Sequence, residues 1–211
     1  MLKNDIKYQS YIQILREELI PAMGCTEPIA LAYAAAVARD TLGEIPDRIE
    51  VCASGSIIKN VKSVIVPNTR QLKGIPAAVT AGIIAGNAEK ELEVIADVSD
   101  EQITQMKNYL DTTEISVKPL DSGITFDILI TAYKGDTFSK VRIANYHTNI
   151  VRIEKNQEVL LDKPVSTESE EGLTDRSLLS MEDIWDFAQT VDISDVKDIL
   201  DPQISCNMAI A

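Results

Sequence analysis

Positive charge, aromatic rings and histidine are all scarce in this sequence. Lys and Arg number 20 against 33 Asp and Glu, for a formal net charge of −13. A phosphate-binding surface needs a basic stripe, and none is present, so nucleic acid is excluded as a partner. The same charge disfavours docking on an anionic membrane. No apolar run reaches the ~18 residues that suggest a membrane span. The opening MLKNDIKYQS lacks the apolar stretch of a signal peptide, so a cytoplasmic location is expected. Aromatics make up 5%, which leaves the core to Ile, Val, Leu and Ala. His147 is the one histidine, and that rules out a multi-histidine metal site. Three cysteines, an odd number, suit free thiols or metal ligands better than a disulfide framework.

What is present is an ordinary globular composition, 45% hydrophobic over 211 residues, enough for one large domain or two small ones. Apolar spacing predicts helices over 5–20, 26–42 and 75–85, with Thr26 as a cap and Pro28 tolerated in the first turn. Strands are expected at 48–54, 61–66 and 91–97. Ser99 and Gln102 have the spacing of a capping box, opening a helix to about 110. ISVKPL, FDILITAY, FSKVRIANYH and NIVRIEKN read as further strands. The expected class is α+β. A mainly helical part with short strands (1–90) is followed by a compact α+β subdomain (91–162), an acidic linker (163–179) and a helical part (180–211). A helix near Pro202 breaks off at NMAIA, which reads as a truncated chain.

The most informative stretch is PAMGCTEP, residues 21–28. Cys25 stands just before a helix N-terminus, where backbone N–H groups and the helix dipole favour a thiolate. That suits a metal ligand or a nucleophile. An inert thiol buried in a helix-entry turn is an equal alternative.

GCTEPIALA resembles the N-terminal signature of the L-cysteine desulfidase family, related to the α chains of iron–sulfur L-serine dehydratases. SGSIIKNVKSVIVPNT, LKGIPAAVTAGIIAG and HTNIVRIEKN resemble later blocks of that family, in the same order. The resemblance implies an N-terminal half of a lyase that eliminates the β-substituent of L-cysteine, giving sulfide, pyruvate and ammonia. It implies a [4Fe–4S] cluster on three cysteines with one open iron, and no pyridoxal phosphate. Cys25 alone falls on a ligand motif. Cys52 lies in an apolar strand and reads as a core cysteine, and Cys206 falls on no motif, so this chain by itself is not expected to hold the cluster. Asn is expected in place of Ser56 and Gly in place of Arg70, which unsettles the details of substrate contact. The implied partners are a small amino acid (L-cysteine or L-serine), the C-terminal half of the same enzyme, and a possible second copy of the chain.

Ser54, Lys59, Asn60, Asn68 and Thr69 are candidates to line a cleft and grip the substrate's carboxylate and ammonium. They equally suit a turn that merely covers the core. His147 is a candidate general base or substrate contact, or else a strand-end histidine bonded to backbone. Glu27 is a candidate acid–base group, or a charge that complements the helix dipole. Ser56 and Lys59 match S-x-x-K, but the companion motifs of that enzyme class are missing. Two other readings stand beside the lyase: an L-serine dehydratase chain, and a non-catalytic amino-acid-binding or assembly module.

Overall fold

The computed structural model describes residues 1–22, 24–165 and 173–210. The class is α+β. Residues 166–172 of the expected linker, and Met23, lie outside the described residues. The chain divides into two compact units, residues 22–167 and residues 1–21 with 168–211.

The larger unit is a six-stranded mixed sheet covered on one face by helices. Its strands are β1 (Arg48–Ala53), β2 (Glu114–Pro119), β3 (Asp127–Lys134), β4 (Thr137–Ala144), β5 (Ile150–Lys155) and β6 (Glu158–Asp162), in the spatial order β2-β1-β3-β4-β5-β6. β1 pairs parallel to β2 and antiparallel to β3. A parallel pair needs a long crossover. Here it consists of α3 (Gly55–Val61), α4 (Gly74–Ala85) and α5 (Asp100–Thr112). β3 to β6 follow as antiparallel hairpins. Period-two alternation sends Ile49, Val51, Ala53, Ile128, Ile130, Ala132, Val141 and Ile143 to the helix face, where all are buried.

Against that face lies α2 (Thr26–Leu42), a run of Ala, Ile and Leu buried almost all round, as expected of a helix with neighbours on every side. It packs on α4 through small side chains. A Cβ built at Gly82 would stand 2.0 Å from the carbonyl oxygen of Ala32, and one at Gly86 would stand 2.7 Å from the Cβ of Ala36. Arg39 of α2 fastens the far end of the pair. Its guanidinium donates to the carbonyls of Gly82, Ile83 and Gly86 at 3.2, 3.0 and 2.8 Å, satisfying the Ile83 carbonyl that the helix C-terminus leaves open and sharing that of Gly82 with the Gly86 N–H.

Two expected strands are not strands. In 61–66 only Ile65 makes an isolated bridge, to Lys73, and the preceding residues form α3, which buries Ile57 and Val61 at i, i+4. In 91–97 the chain makes a 3-10 turn at Ala88–Glu93 that buries Leu92, Val94 and Ile95. Both are short apolar runs, for which periodicity does not separate strand from helix. β6 was not anticipated, because its side chains are mostly exposed and carry no apolar alternation. The capping box at Ser99 and Gln102 forms as expected.

The smaller unit comprises α1 (Ile6–Glu18), α6 (Met181–Thr190) and α7 (Ile193–Ile210). α7 starts nine residues before Pro202 and contains it. Tyr8, Tyr11, Ile12, Ile14, Phe187, Val196 and Ile199 form a separate apolar cluster here.

The α2–α4 contact yields a paired test. Gly82→Ala is expected to cost ~3 kcal/mol or more, because the atom it meets is backbone and cannot swing aside. Gly55→Ala meets nothing within 4 Å and is expected to be near neutral. Urea unfolding of both variants checks this; equal stabilities would contradict the close packing.

Candidate functional site

The first turn of α2 is where the larger unit gathers its reactive side chains. Gly24, at φ +115°, takes a conformation that disfavours any side chain, and it turns the chain into the helix beside Pro67. Cys25, not Thr26, is the N-cap, and its side chain makes no cap hydrogen bond to the helix. Its exposed thiol instead donates to Glu27 Oε2 at 3.0 Å. The other oxygen of Glu27 accepts from the Asn60 amide at 3.4 Å, from the end of α3.

His147 arrives from the turn between β4 and β5, not from a strand. Its Nε2 lies 2.9 Å from Thr26 Oγ1, although the two are 121 positions apart. The ring of Phe126 lies against it, centroids 4.4 Å apart. That turn is held in place by hydrogen bonds from the Asn145 N–H to the Phe126 carbonyl and from the Asn149 amide to the Ala144 carbonyl.

The local fields set the protonation states. Burial and the hydrogen bond to the Glu27 carboxylate push the Cys25 thiol up from its ordinary value. The expected thiolate is thus corrected: a full negative charge at 3.0 Å outweighs the roughly half charge of a helix N-terminus. Glu27 is held below the usual carboxylate range by the Cys25 thiol, with help from its own backbone N–H and from Asn60. Burial lowers His147 and the Glu27 carboxylate partly offsets this.

The other candidates separate into two groups. Asn60 joins the site, and Lys59 is exposed beside it on α3. Ser54, Asn68 and Thr69 serve the backbone. The Ser54 hydroxyl donates to the Thr125 carbonyl at 2.6 Å and the buried Thr69 hydroxyl to the Val66 carbonyl at 2.7 Å. Asn68, at φ 58°, donates to the carbonyls of Ile95 and Ala96. Thr26 and Phe126 complete the cluster. Their one sequence signal was the rarity of aromatics and the GCTEP block itself.

A cluster held by three thiolates does not fit these residues. Cys52 projects from β1 on the face away from α2, half-buried and beside Glu50, so it is not the core cysteine that was expected. Cys206 sits on α7 in the other unit. Among the described residues no three His, Cys, Asp or Glu side chains are grouped to hold a metal ion. No described helix is long and apolar enough to cross a membrane.

The chain is similar to UPF0597 proteins. It is 54% identical over 211 residues to the one from Desulfitobacterium hafniense, covering 100% of this chain and 49% of that protein. The relative from Treponema denticola is 48% identical over 207 residues, 97% of this chain and 48% of its own length. That from Fusobacterium nucleatum is 42% identical over 208 residues, 98% of this chain and 49% of its own. The chain spans about half the length of these curated relatives. No protein-family profile matches it, and no solved structure does. These matches correct the resemblance drawn from GCTEPIALA. The relatives along the chain are named UPF0597 proteins, not cysteine desulfidases or serine dehydratases, and the chain is not identified as half of an iron–sulfur lyase.

The single histidine makes the electrostatics directly measurable. Proton NMR titration of His147 is expected to give a midpoint below 6.5. Phe126→Ala is expected to raise it by relieving burial, and Glu27→Gln to lower it further by removing the facing charge. Because the folded value lies below the unfolded one, the unfolded chain binds more protons in that window. Stability present above pH 6.5 is then lost as pH falls through it, and His147→Asn reduces that loss. A midpoint at or above 6.5 would refute the arrangement.

Proposed function

We propose that this chain carries the acid–base centre of an enzyme acting on a small amino acid. The observation that carries the reading is the pair Cys25 and Glu27, joined by one 3.0 Å hydrogen bond and shifted in opposite directions. Titratable neighbours pushed apart in this way identify an acid and an anion. Cys25 is a protonated thiol at neutral pH and serves as proton donor. Glu27 is ionised and receives the substrate ammonium, with Asn60 orienting it. His147 is neutral and accepts a proton, and its burial against Phe126 supports that role. Three free thiols among the described residues agree with a reducing, cytoplasmic setting for this chemistry.

The common amino acids, screened by calorimetry for binding and by proton NMR for turnover, test the reading. Glu27→Gln is expected to raise KM about 10- to 100-fold, the loss of one charge-assisted contact. His147→Asn is expected to lower kcat roughly 100- to 10,000-fold. Activity is expected to fall only below pH 6.5, as His147 protonates, and above pH 9, as Cys25 ionises; Cys25→Ala removes the alkaline limb. Binding of no amino acid, or full affinity in Glu27→Gln, would sink the reading.

A further inference from the structure

α6 carries more apolar surface than its own unit covers. Phe187 turns inward and meets the rings of Tyr8 and Tyr11 edge-on, centroids 5.5 and 5.3 Å away. Met181, Ile184, Trp185 and Ala188 recur at i, i+3, i+4 and i+7, so they share one face. All four are exposed, Met181 at 82% and Trp185 at 70%. Trp185 is the only tryptophan in the chain. Single exposed apolar side chains are ordinary; a contiguous row centred on Trp and Met has the composition of an interface hot spot.

The row is presented by a helix that is fixed in place. Ser180 caps it by accepting from the Asp183 N–H at 3.1 Å, and Lys7 of α1 donates to Asp183 at 2.6 Å. Glu182 and Asp186 flank the apolar row on α6. A helix anchored by one edge of a wide apolar arc, with the rest facing outward, has the pattern of a helix placed between two layers.

The relatives indicate what the second layer is. They match this chain nearly end to end, yet it accounts for 49% of the Desulfitobacterium hafniense and Fusobacterium nucleatum proteins and 48% of the Treponema denticola one. Each therefore carries a comparable length of polypeptide with no counterpart among these 211 residues. We propose that the Met181–Ile184–Trp185–Ala188 face is the docking surface for that other half of the UPF0597 polypeptide. The occupant presents an apolar patch over Trp185 and Met181, with a basic side chain towards Glu182; Asp186 is already paired with the N-terminal amine of Met1. A segment of the same polypeptide meets this face at high effective concentration, so a patch of this size suffices to hold it.

Hydrogen–deuterium exchange on the intact Desulfitobacterium hafniense relative and on this 211-residue chain tests the proposal. After correction for intrinsic rates, amides aligned with 181–190 are expected to exchange at least tenfold more slowly in the intact relative. Asp at the position aligned with Trp185 is expected to abolish that protection. In this chain Trp185→Asp is expected to leave exchange and Tm unchanged, since the side chain is exposed. Equal exchange in the two proteins, or protection that survives the Asp substitution, overturns the proposal. Acrylamide quenching of Trp185 in this chain is expected to be independent of concentration; quenching that declines as concentration rises assigns the face to a second copy and overturns it as well.

Discussion

The close approach of α2 and α4 governs the larger unit. Gly82 and Gly86 let one helix backbone come down on the other, where any Cβ at Gly82 would collide with the Ala32 carbonyl. With α4 on one side and the apolar face of the sheet on the other, α2 has no freedom to slide or roll. Interiors packed to this density transmit position, so the N-terminus of α2 is located as firmly as its middle. That is what allows a short polar segment at its start to meet groups from α3 and from the β4–β5 turn.

At that N-terminus two electrostatic influences compete. The helix alone favours an anion on Cys25. Glu27, two residues on, is already an anion and accepts the thiol proton in a hydrogen bond. Partial desolvation and this nearer, larger charge prevail over the helix, so sulfur keeps its proton and the carboxylate stays ionised. Burial against Phe126 disfavours a charged His147, while the Glu27 carboxylate favours one. The cluster therefore holds a protonated thiol, a carboxylate and a neutral imidazole close together, each shifted further towards the state it ordinarily takes at neutral pH.

The smaller unit solves a different packing problem. Its three described α-helices bury one compact cluster around Tyr8, Tyr11 and Phe187, and that cluster occupies only one edge of α6. The rest of the apolar arc of α6 looks outward. The unit leaves Met181, Ile184 and Trp185 exposed on that face.

The sequence by itself determined the elements whose signals are local. The helix beginning at Asp100 follows from Ser99–Gln102, because capping needs only neighbours in the chain. The hairpin strands β3 to β5 follow from alternation and turns, and the start of α2 next to Cys25 follows from the sequence around Thr26 and Pro28. Short apolar runs such as 61–66 and 91–97 have the pattern of strands but do not form them, because their state depends on whether a partner strand is available, which no local pattern encodes. Tertiary structure alone decided that Thr26 and His147, 121 positions apart, stand 2.9 Å from one another. It also decided that Ser54 and Thr69 bond to the backbone, that Cys52 faces away from α2, and that Cys25 is a thiol. Each of these depends on which distant atoms surround a side chain, and burial and facing charge, not residue type, then fix what that side chain can do.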